Sequence, residues 1–288
     1  YSSRFGFEFT PTLNGMSPMI RRLHDANPAN LHKVHMTGDD DRDTLRFEEK
    51  GMPNSEVTIA DLLSAHGYHT MHVGKWHLGY ANGSAPNDQG FAESVNMASG
   101  MYLPPDDPDV VNSRQEFDPI DRFLWANLRH AVDWNGGPRF APDGYLTDYF
   151  TDQAVAAIEA NRNRPFFLYL AHWAPHTPLQ ALRADYDALE HISDHRERVY
   201  AAMLVALDRG VGRVMQALRD NGLDGYVGLP DVNKPFRGWK ITFFEGGIHV
   251  PFFMRWPAGF EGGRGLDQPV HHFDIYATAA GAAGAALP

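Results

Sequence analysis

The chain has 288 residues, a formal net charge of −11 and no cysteine. The acidic balance argues against a nucleic acid or an anionic membrane surface as partner, and the absence of thiols excludes disulfides and thiolate metal sites. With 43% hydrophobic and 21% charged residues the chain has the composition of a folded globular protein, and no apolar stretch approaches the roughly 20 residues of a membrane span.

Helix and strand patterns alternate along the chain. Helices are predicted, in chain order, over SEVTIADLLSAHG (55–67), with Ser55 as N-cap and Gly67 as stop, TDYFTDQAVAAIEANRN (147–163), roughly 194–221, and HHFDIYATAAGAAGA (271–285). Strands are predicted over YHTMHV (68–73), FFLYLA (166–171) and VPFFMRW (250–256), with FFLYLA fully buried. The alternation predicts an α/β fold: a three-layer α/β/α sandwich with a largely parallel central sheet.

Residues from about 99 to 144 break this pattern. They are rich in Pro, Asp and Gly and show little periodicity, so we interpret them as a loop insertion within one domain of residues 1–288. The opening YSSRFGFEFT has neither Met nor a charged-then-apolar leader, which suggests an excised piece of a longer protein.

Polar side chains follow the predicted strands. Lys75 and His77 come after the first strand, His172 and His176 after the second, and Lys240 lies in the loop FRGWKITFFEGG. Ligands of open α/β sheets bind beyond the carboxyl ends of the strands, so these loops predict one site. Ammonium and imidazole groups together suit an oxyanion such as sulfate, phosphate or phosphonate.

Each of these features also has a simpler interpretation. A Lys-X-His turn is commonly an exposed surface turn without a function. The histidines at 66, 69, 72 and 77 match no known spacing of zinc ligands. His172 and His176 are spaced like a helical metal pair, but Pro175 between them disfavours a helix. Acidic runs at 39–43 and 104–109 fit solvated loops better than calcium loops. Trp125 and Trp134 can stack on a sugar or aryl group, or cap a small core.

Several segments resemble one protein family. They are GYHTMHVGKWHLG (67–79), RPFFLYLAHWAPHTPLQ (164–180), GWKITFFEGGIHVPFFMRWP (238–257), VHHFDIYATAAGAAGAALP (270–288) and the start, YSSRFGFEFTPTLNG (1–15). In this order they are similar to segments of sulfatases of the arylsulfatase type, in the alkaline-phosphatase superfamily. The resemblance implies an alkaline-phosphatase-like fold and the hydrolysis of a small-molecule or carbohydrate sulfate ester, with a periplasmic or secreted location and with no nucleic acid or membrane partner.

The resemblance also implies a mechanism. A Cys or Ser in a C-X-P-X-R motif becomes formylglycine, whose hydrate attacks sulfur, and a calcium-like divalent ion binds the sulfate. Lys75 and His77 would contact the formylglycine and the sulfate, His176 would bind sulfate and protonate the leaving oxygen, and Lys240 would hold a sulfate oxygen.

The chain departs from this pattern in three places. It contains no C-X-P-X-R or S-X-P-X-R, the paired aspartates of the first strand are missing, and no apolar strand followed by Asp-Asn-Gly comes after Gly222. The triplet 220–222 sits at a helix end, so we assign no residue to metal. We expect residues 223–235 to be irregular, the sheet to lack a strand, and the chain as written to be inactive. A non-catalytic anion-binding remnant and a phosphatase or phosphonate hydrolase stay open as alternatives.

Overall fold

The computed structural model describes residues 51–80, 82–116, 118–223, 265, 270 and 272–285. By internal contacts the chain divides into two compact units, residues 1–213 and 214–288. The sequence predicts one catalytic domain over 1–288, and this stays a prediction. The predicted strand at 250–256 and, apart from Leu223, the predicted irregular segment 223–235 lie outside the described residues.

Helices and strands alternate as the sequence predicts. Within the described residues the strands are β1 (His69–Gly74), β2 (Glu93–Gly100), β3 (Val110–Ser113), β4 (His130–Trp134), β5 (Phe166–Ala171) and β6 (Leu179–Leu182). The α-helices are α1 (Ile59–Ala65), α2 (Pro119–Asn127), α3 (Leu146–Asn161), α4 (Arg183–Asp187), α5 (His195–Asp220) and α6 (His272–Ala282). No helix among the described residues is both long and apolar enough to cross a membrane.

The central sheet has the strand order β4-β2-β1-β5. β1 runs parallel to both of its neighbours, whereas β4 is antiparallel to β2. A separate two-stranded antiparallel ladder joins β3 to β6. The prediction of a largely parallel central sheet is therefore confirmed.

Apolar side chains pack against both faces of this sheet. Val73 of β1 belongs to a buried cluster with Phe150 of α3 and Met203 of α5. On the opposite face Ala60 of α1 belongs to a second cluster, with Trp76. Because successive side chains of a strand point to opposite faces, helices cover the sheet on both sides, which confirms the three-layer α/β/α sandwich.

The strand β5 is less buried than its apolar sequence predicts. Its residues are half-buried, and Tyr169 is 45% exposed. In the described part of the sheet β5 pairs with β1 alone and therefore stands at an edge. An edge strand has a neighbour on one side only, so an apolar sequence does not by itself guarantee burial.

The segment 99–144 is not the irregular insertion that the sequence suggests. It contains β3, α2 and β4, and β4 joins the central sheet by pairing with β2. Val132 of β4 is fully buried. These elements are four to nine residues long, too short for a helix or strand period to stand out among Pro, Asp and Gly.

The predicted N-cap of α1 is wrong, whereas the predicted end of α5 is confirmed. α1 begins after Thr58, not Ser55, because the Thr58 hydroxyl accepts from the backbone N–H of Asp61 while the Asp61 carboxylate accepts from the N–H of Thr58. α5 ends at Asp220, and Gly222 follows at φ +69°. The triplet 220–222 is thus a helix terminus, as predicted.

Candidate functional site

The two loops that carry the predicted site residues begin side by side. β1 and β5 pair in parallel from His69 opposite Phe166 to Gly74 opposite Ala171. The ladder continues one step further, since the backbone N–H of Lys75 donates to the carbonyl of Ala171 at 2.7 Å. The GKWH loop (74–77) and the HWAPHTP loop (172–178) therefore leave the sheet at the same edge, beyond the carboxyl ends of β1 and β5.

Only glycine fits at the end of β1. Gly74 has φ +114°, and a Cβ built there would lie 2.0 Å from the carbonyl oxygen of Ala171. The glycine therefore serves two purposes at once: it allows the left-handed backbone and the close approach to the neighbouring strand.

The Trp173 indole joins Lys75 to His176. Lys75 Nζ lies 4.5 Å from the centroid of the Trp173 ring, and the His176 ring stacks on the same indole with centroids 3.8 Å apart and planes at 24°. Both distances end at the Trp173 indole, so the separation between the Lys75 ammonium and the His176 ring is comparable to their sum at most. Two charge-assisted hydrogen bonds of about 2.8 Å to different oxygens of one oxyanion span a comparable distance.

Trp173 is itself held rigidly. It is 8% exposed, and its indole N–H donates to the carbonyl of Gly100 at 2.8 Å. A Cβ on Gly100 would lie 3.0 Å from the indole ring, so the close contact favours glycine here. No sequence motif singles out Trp173. Its place between a predicted lysine and a predicted histidine becomes evident only when β1 and β5 are paired.

The orientation of His176 is set by backbone contacts. Its Nδ1 lies 2.7 Å from the carbonyl oxygen of Thr177, which can only accept, so Nδ1 carries the hydrogen. The neutral ring then keeps its lone pair on Nε2, the atom that can take up or deliver a proton. The His176 carbonyl accepts from the hydroxyl of buried Tyr102 at 2.9 Å, a contact across 74 residues that no local signal reveals.

The tryptophan of the GKWH loop, Trp76, is a buried anchor. It is 7% exposed, and its N–H lies 3.0 Å from the carbonyl oxygen of Gly79 and 2.8 Å from that of Ser84. The buried Trp76 thus anchors the loop, and the half-buried Lys75 and the exposed His77 flank it. The structure brings Lys75 and His176 together, leaves His77 on the surface of the same loop, and does not describe Lys240.

His172 is a second histidine of the HWAPHTP loop with a different environment. Both of its ring nitrogens are buried without a hydrogen-bond partner in the described structure. Burial lowers the pKa of His172 from 6.5 to about 4. The loop from 172 to 178 is irregular, as Pro175 predicts, so His172 and His176 do not form a helical pair.

Comparison with known proteins identifies the family. A sequence model of the family described as Sulfatase matches residues 17–285. The chain is 27% identical to the uncharacterized sulfatase YdeN of Escherichia coli K12 and 32% identical to mouse arylsulfatase J, over 83% and 79% of this chain and 46% and 39% of those proteins. The chain belongs to the sulfatase family.

Solved structures agree. The crystal structure of Ps i-CgsB in complex with k-i-k-neocarrahexaose matches at a TM-score of 0.68 and 31% identity, over 83% of this chain and 55% of that one. The predicted alkaline-phosphatase-like fold of this sulfatase chain is therefore confirmed. The chain spans about half the length of the relatives that it matches.

The resemblance implies a formylglycine nucleophile and a divalent metal ion, and the described residues of this sulfatase chain fit neither. The sequence has no cysteine and no S-X-P-X-R from which formylglycine could form. Within the described ranges, no group of three or more His, Cys, Asp or Glu residues could hold a metal ion. The acidic run 39–43 and Lys240 lie outside those ranges.

The first prediction concerns Gly74. Gly74→Ala should lower the free energy of unfolding of the sulfatase chain by at least about 2 kcal/mol more than Gly67→Ala does, because both positions have positive φ but only Gly74 would place its Cβ against a backbone carbonyl. Urea denaturation of the two variants measures the difference. Equal losses would show that the junction of β1 and β5 adapts.

The second prediction concerns pH. The unfolded chain binds a proton to His172 near pH 6.5 and the folded chain only near pH 4, so stability is lost as pH falls across that window. The slope from one such group is at most about 1.4 kcal/mol per pH unit. His172→Phe should flatten the pH dependence of unfolding between pH 6.5 and 4. His191→Phe, which replaces an exposed histidine, is the control for the substitution itself. An unchanged slope in His172→Phe would contradict the assigned burial.

Proposed function

We propose that this chain supplies the sulfate-binding and proton-transfer part of a sulfate ester hydrolase. The observation that supports this proposal best is that the Lys75 ammonium and the His176 imidazole both contact the Trp173 indole at the carboxyl ends of β1 and β5. Membership of the sulfatase family makes sulfate, among oxyanions, the preferred ligand.

Lys75 would stabilise the charge that spreads over the sulfuryl oxygens. A lysine ammonium is a compact point charge, and a buried indole beside it excludes water and so strengthens its field. Lys75 is the only lysine among the described residues, so its position determines where such a charge is available there. His77 and Lys240 stay predicted contributors to the same anion site.

His176 would act as general acid. A sulfate ester leaves as an alkoxide or phenoxide, and a proton delivered to that oxygen lowers the barrier most for poor leaving groups. With Nδ1 held by the Thr177 carbonyl, Nε2 is the atom that delivers the proton. Stacking on Trp173 fixes the plane of the ring.

The proposed mechanism also needs a nucleophile and a metal ion, which the described residues do not supply. By family resemblance the complete enzyme would use formylglycine as nucleophile and calcium or a similar divalent ion to bind sulfate. The described residues fit neither group, and the roles given to Lys75 and His176 depend on neither. We propose that the 288-residue chain by itself binds sulfate without turning over its esters.

The substrate class we propose is a carbohydrate or small-molecule sulfate ester. Ps i-CgsB, 31% identical to this chain, was solved in complex with k-i-k-neocarrahexaose, and mouse N-acetylgalactosamine-6-sulfatase is 28% identical. The acidic balance of the chain, −11 overall, disfavours polyanionic nucleic acid. A phosphatase or phosphonate hydrolase of the same superfamily is the second candidate, because the oxyanion site by itself does not distinguish sulfate from phosphate.

The third prediction tests anion binding. Sulfate titrated into the 288-residue chain should bind weakly, and Lys75→Ala and His176→Ala should each weaken it about tenfold through loss of a charge-assisted contact. Arg162→Ala is the charge-matched control, since this exposed arginine follows α3 at the opposite ends of the strands. Calorimetry with sulfate and with phosphate measures all variants. Equal effects of Lys75→Ala and Arg162→Ala would contradict the site.

The fourth prediction tests chemistry. The chain should not hydrolyse 4-nitrophenyl sulfate detectably, with or without calcium, because it lacks the residue that becomes the covalent nucleophile. A longer protein that joins this chain to a C-X-P-X-R segment should hydrolyse 4-nitrophenyl sulfate in preference to 4-nitrophenyl phosphate, and His176→Ala should slow esters of poor leaving groups most. Calcium-dependent turnover by the 288-residue chain, abolished by Lys75→Ala, would show that its nucleophile lies elsewhere.

A further inference from the structure

His72 occupies an unusual place for a polar side chain. It lies in the middle of β1, is fully buried, and packs against the rings of Trp76, Phe91 and Tyr169 at centroid distances of 5.4 to 5.7 Å. A Leu or Met would fill such a space at lower cost of desolvation. The imidazole therefore calls for an explanation in terms of its polar contacts.

Both ring nitrogens of His72 have partners. Nε2 lies 3.2 Å from the carbonyl oxygen of Lys75, and Nδ1 lies 3.0 Å from the hydroxyl of Ser94, which is paired with His72 across the sheet. A carbonyl can only accept, so Nε2 carries the hydrogen and Nδ1 accepts from the Ser94 hydroxyl. The Lys75 carbonyl thus fixes the tautomer, and the Ser94 hydroxyl gives Nδ1 a donor in that tautomer. Burial keeps the ring neutral, since it lowers the pKa of His72 to about 4.

The backbone of Lys75 is consequently held at both of its polar groups. Its N–H donates to Ala171 on β5, and its C=O accepts from His72 on β1. With the peptide groups on both sides of its Cα held, the backbone of Lys75 has little freedom to rotate, and the side chain lies over Trp173. The first bond comes from ordinary parallel pairing, whereas the second depends on one particular side chain.

We propose that His72, with Nε2 bonded to the Lys75 carbonyl and Nδ1 to the Ser94 hydroxyl, is the positioning residue that directs the Lys75 ammonium into the anion site. This inference rests on the proposed function, in that Lys75 binds the sulfate group. His72 contacts the main chain of Lys75 and acts on the anion only through it. Loss of the Nε2 donor frees the Lys75 carbonyl to turn, and the ammonium then samples positions away from the Trp173 face.

The test uses a readout that does not require sulfate. Lys75 Nζ lies over the Trp173 ring, so in the 288-residue chain with labelled lysine the Lys75 ε-methylene resonance is shifted by the ring current. The signal is assigned by its loss in Lys75→Ala, and Trp173→Leu gives the unshifted value. His72→Leu should move the resonance toward that value, and Ser94→Ala, which removes only the partner of Nδ1, should move it by a smaller amount. His72→Gln, whose amide can donate to the same carbonyl, should keep most of the shift.

Sulfate affinity gives a second readout. His72→Leu should weaken sulfate binding about tenfold and His72→Gln by less than about threefold, the losses expected for a displaced and a retained contact. His69→Gln is the matched control, because this histidine lies on the same strand at the opposite end and contacts Glu93. It should change neither the resonance nor the affinity.

The outcomes separate this inference from the proposed function. If the Lys75 resonance stays shifted in Ser94→Ala and in folded His72→Leu, His72 is a core residue only and the proposal is wrong. If His72→Leu does not fold, Ser94→Ala and His72→Gln decide by the same criterion. If the wild-type chain binds no sulfate while the resonance still depends on His72, the proposed function fails and the positioning of Lys75 by His72 stands.

Discussion

The parallel pairing of β1 with β5 is the constraint on which the candidate site depends. Six residue pairs in register bring the ends of two strands together, although almost a hundred residues separate them in the chain. The pairing ends where Gly74 meets the Ala171 carbonyl, and the next N–H, that of Lys75, still bonds to β5. A slip of one residue would turn the side chains of the shifted strand to the opposite face of the sheet and displace the lysine from the histidine loop.

Buried aromatic residues then convert this edge into a rigid site. Trp76 donates its indole N–H to loop carbonyls and Trp173 donates to the carbonyl at the end of β2, so both rings are oriented by hydrogen bonds and not by packing alone. Trp173 offers its ring to both Lys75 and His176. The charged group thus works beside an apolar surface, where its interaction with an anion is stronger than in water.

The electrostatics of the chain are local in character. A net charge of −11 does not attract an anionic substrate at long range, so recognition has to come from a few cations at the point of contact. In the proposed site Lys75 supplies such a charge and His176 a ring nitrogen beside the same indole. The His172 ring has no hydrogen-bond partner among the described residues and sits in the same loop as His176, but its burial lowers its pKa and keeps it neutral. Two histidines four residues apart therefore have different properties, which follow from burial and hydrogen bonding.

The sequence by itself determined the features that depend on local order. Apolar periods along the chain predicted the helices α3 and α5 and the strands β1 and β5. The order of the motifs predicted the loops with Lys75 and His176 and the family. The tertiary structure alone decided that 99–144 contributes β4 to the sheet, that Thr58 caps α1, that β5 stands at an edge of the described sheet, and that Trp173 and His72 bear on Lys75. The Thr58 cap and the His72 bond to Lys75 each span only three residues. The places of β4, β5 and Trp173 arise from contacts between residues that are distant in the chain, and no period or motif encodes such a contact until the strands have paired.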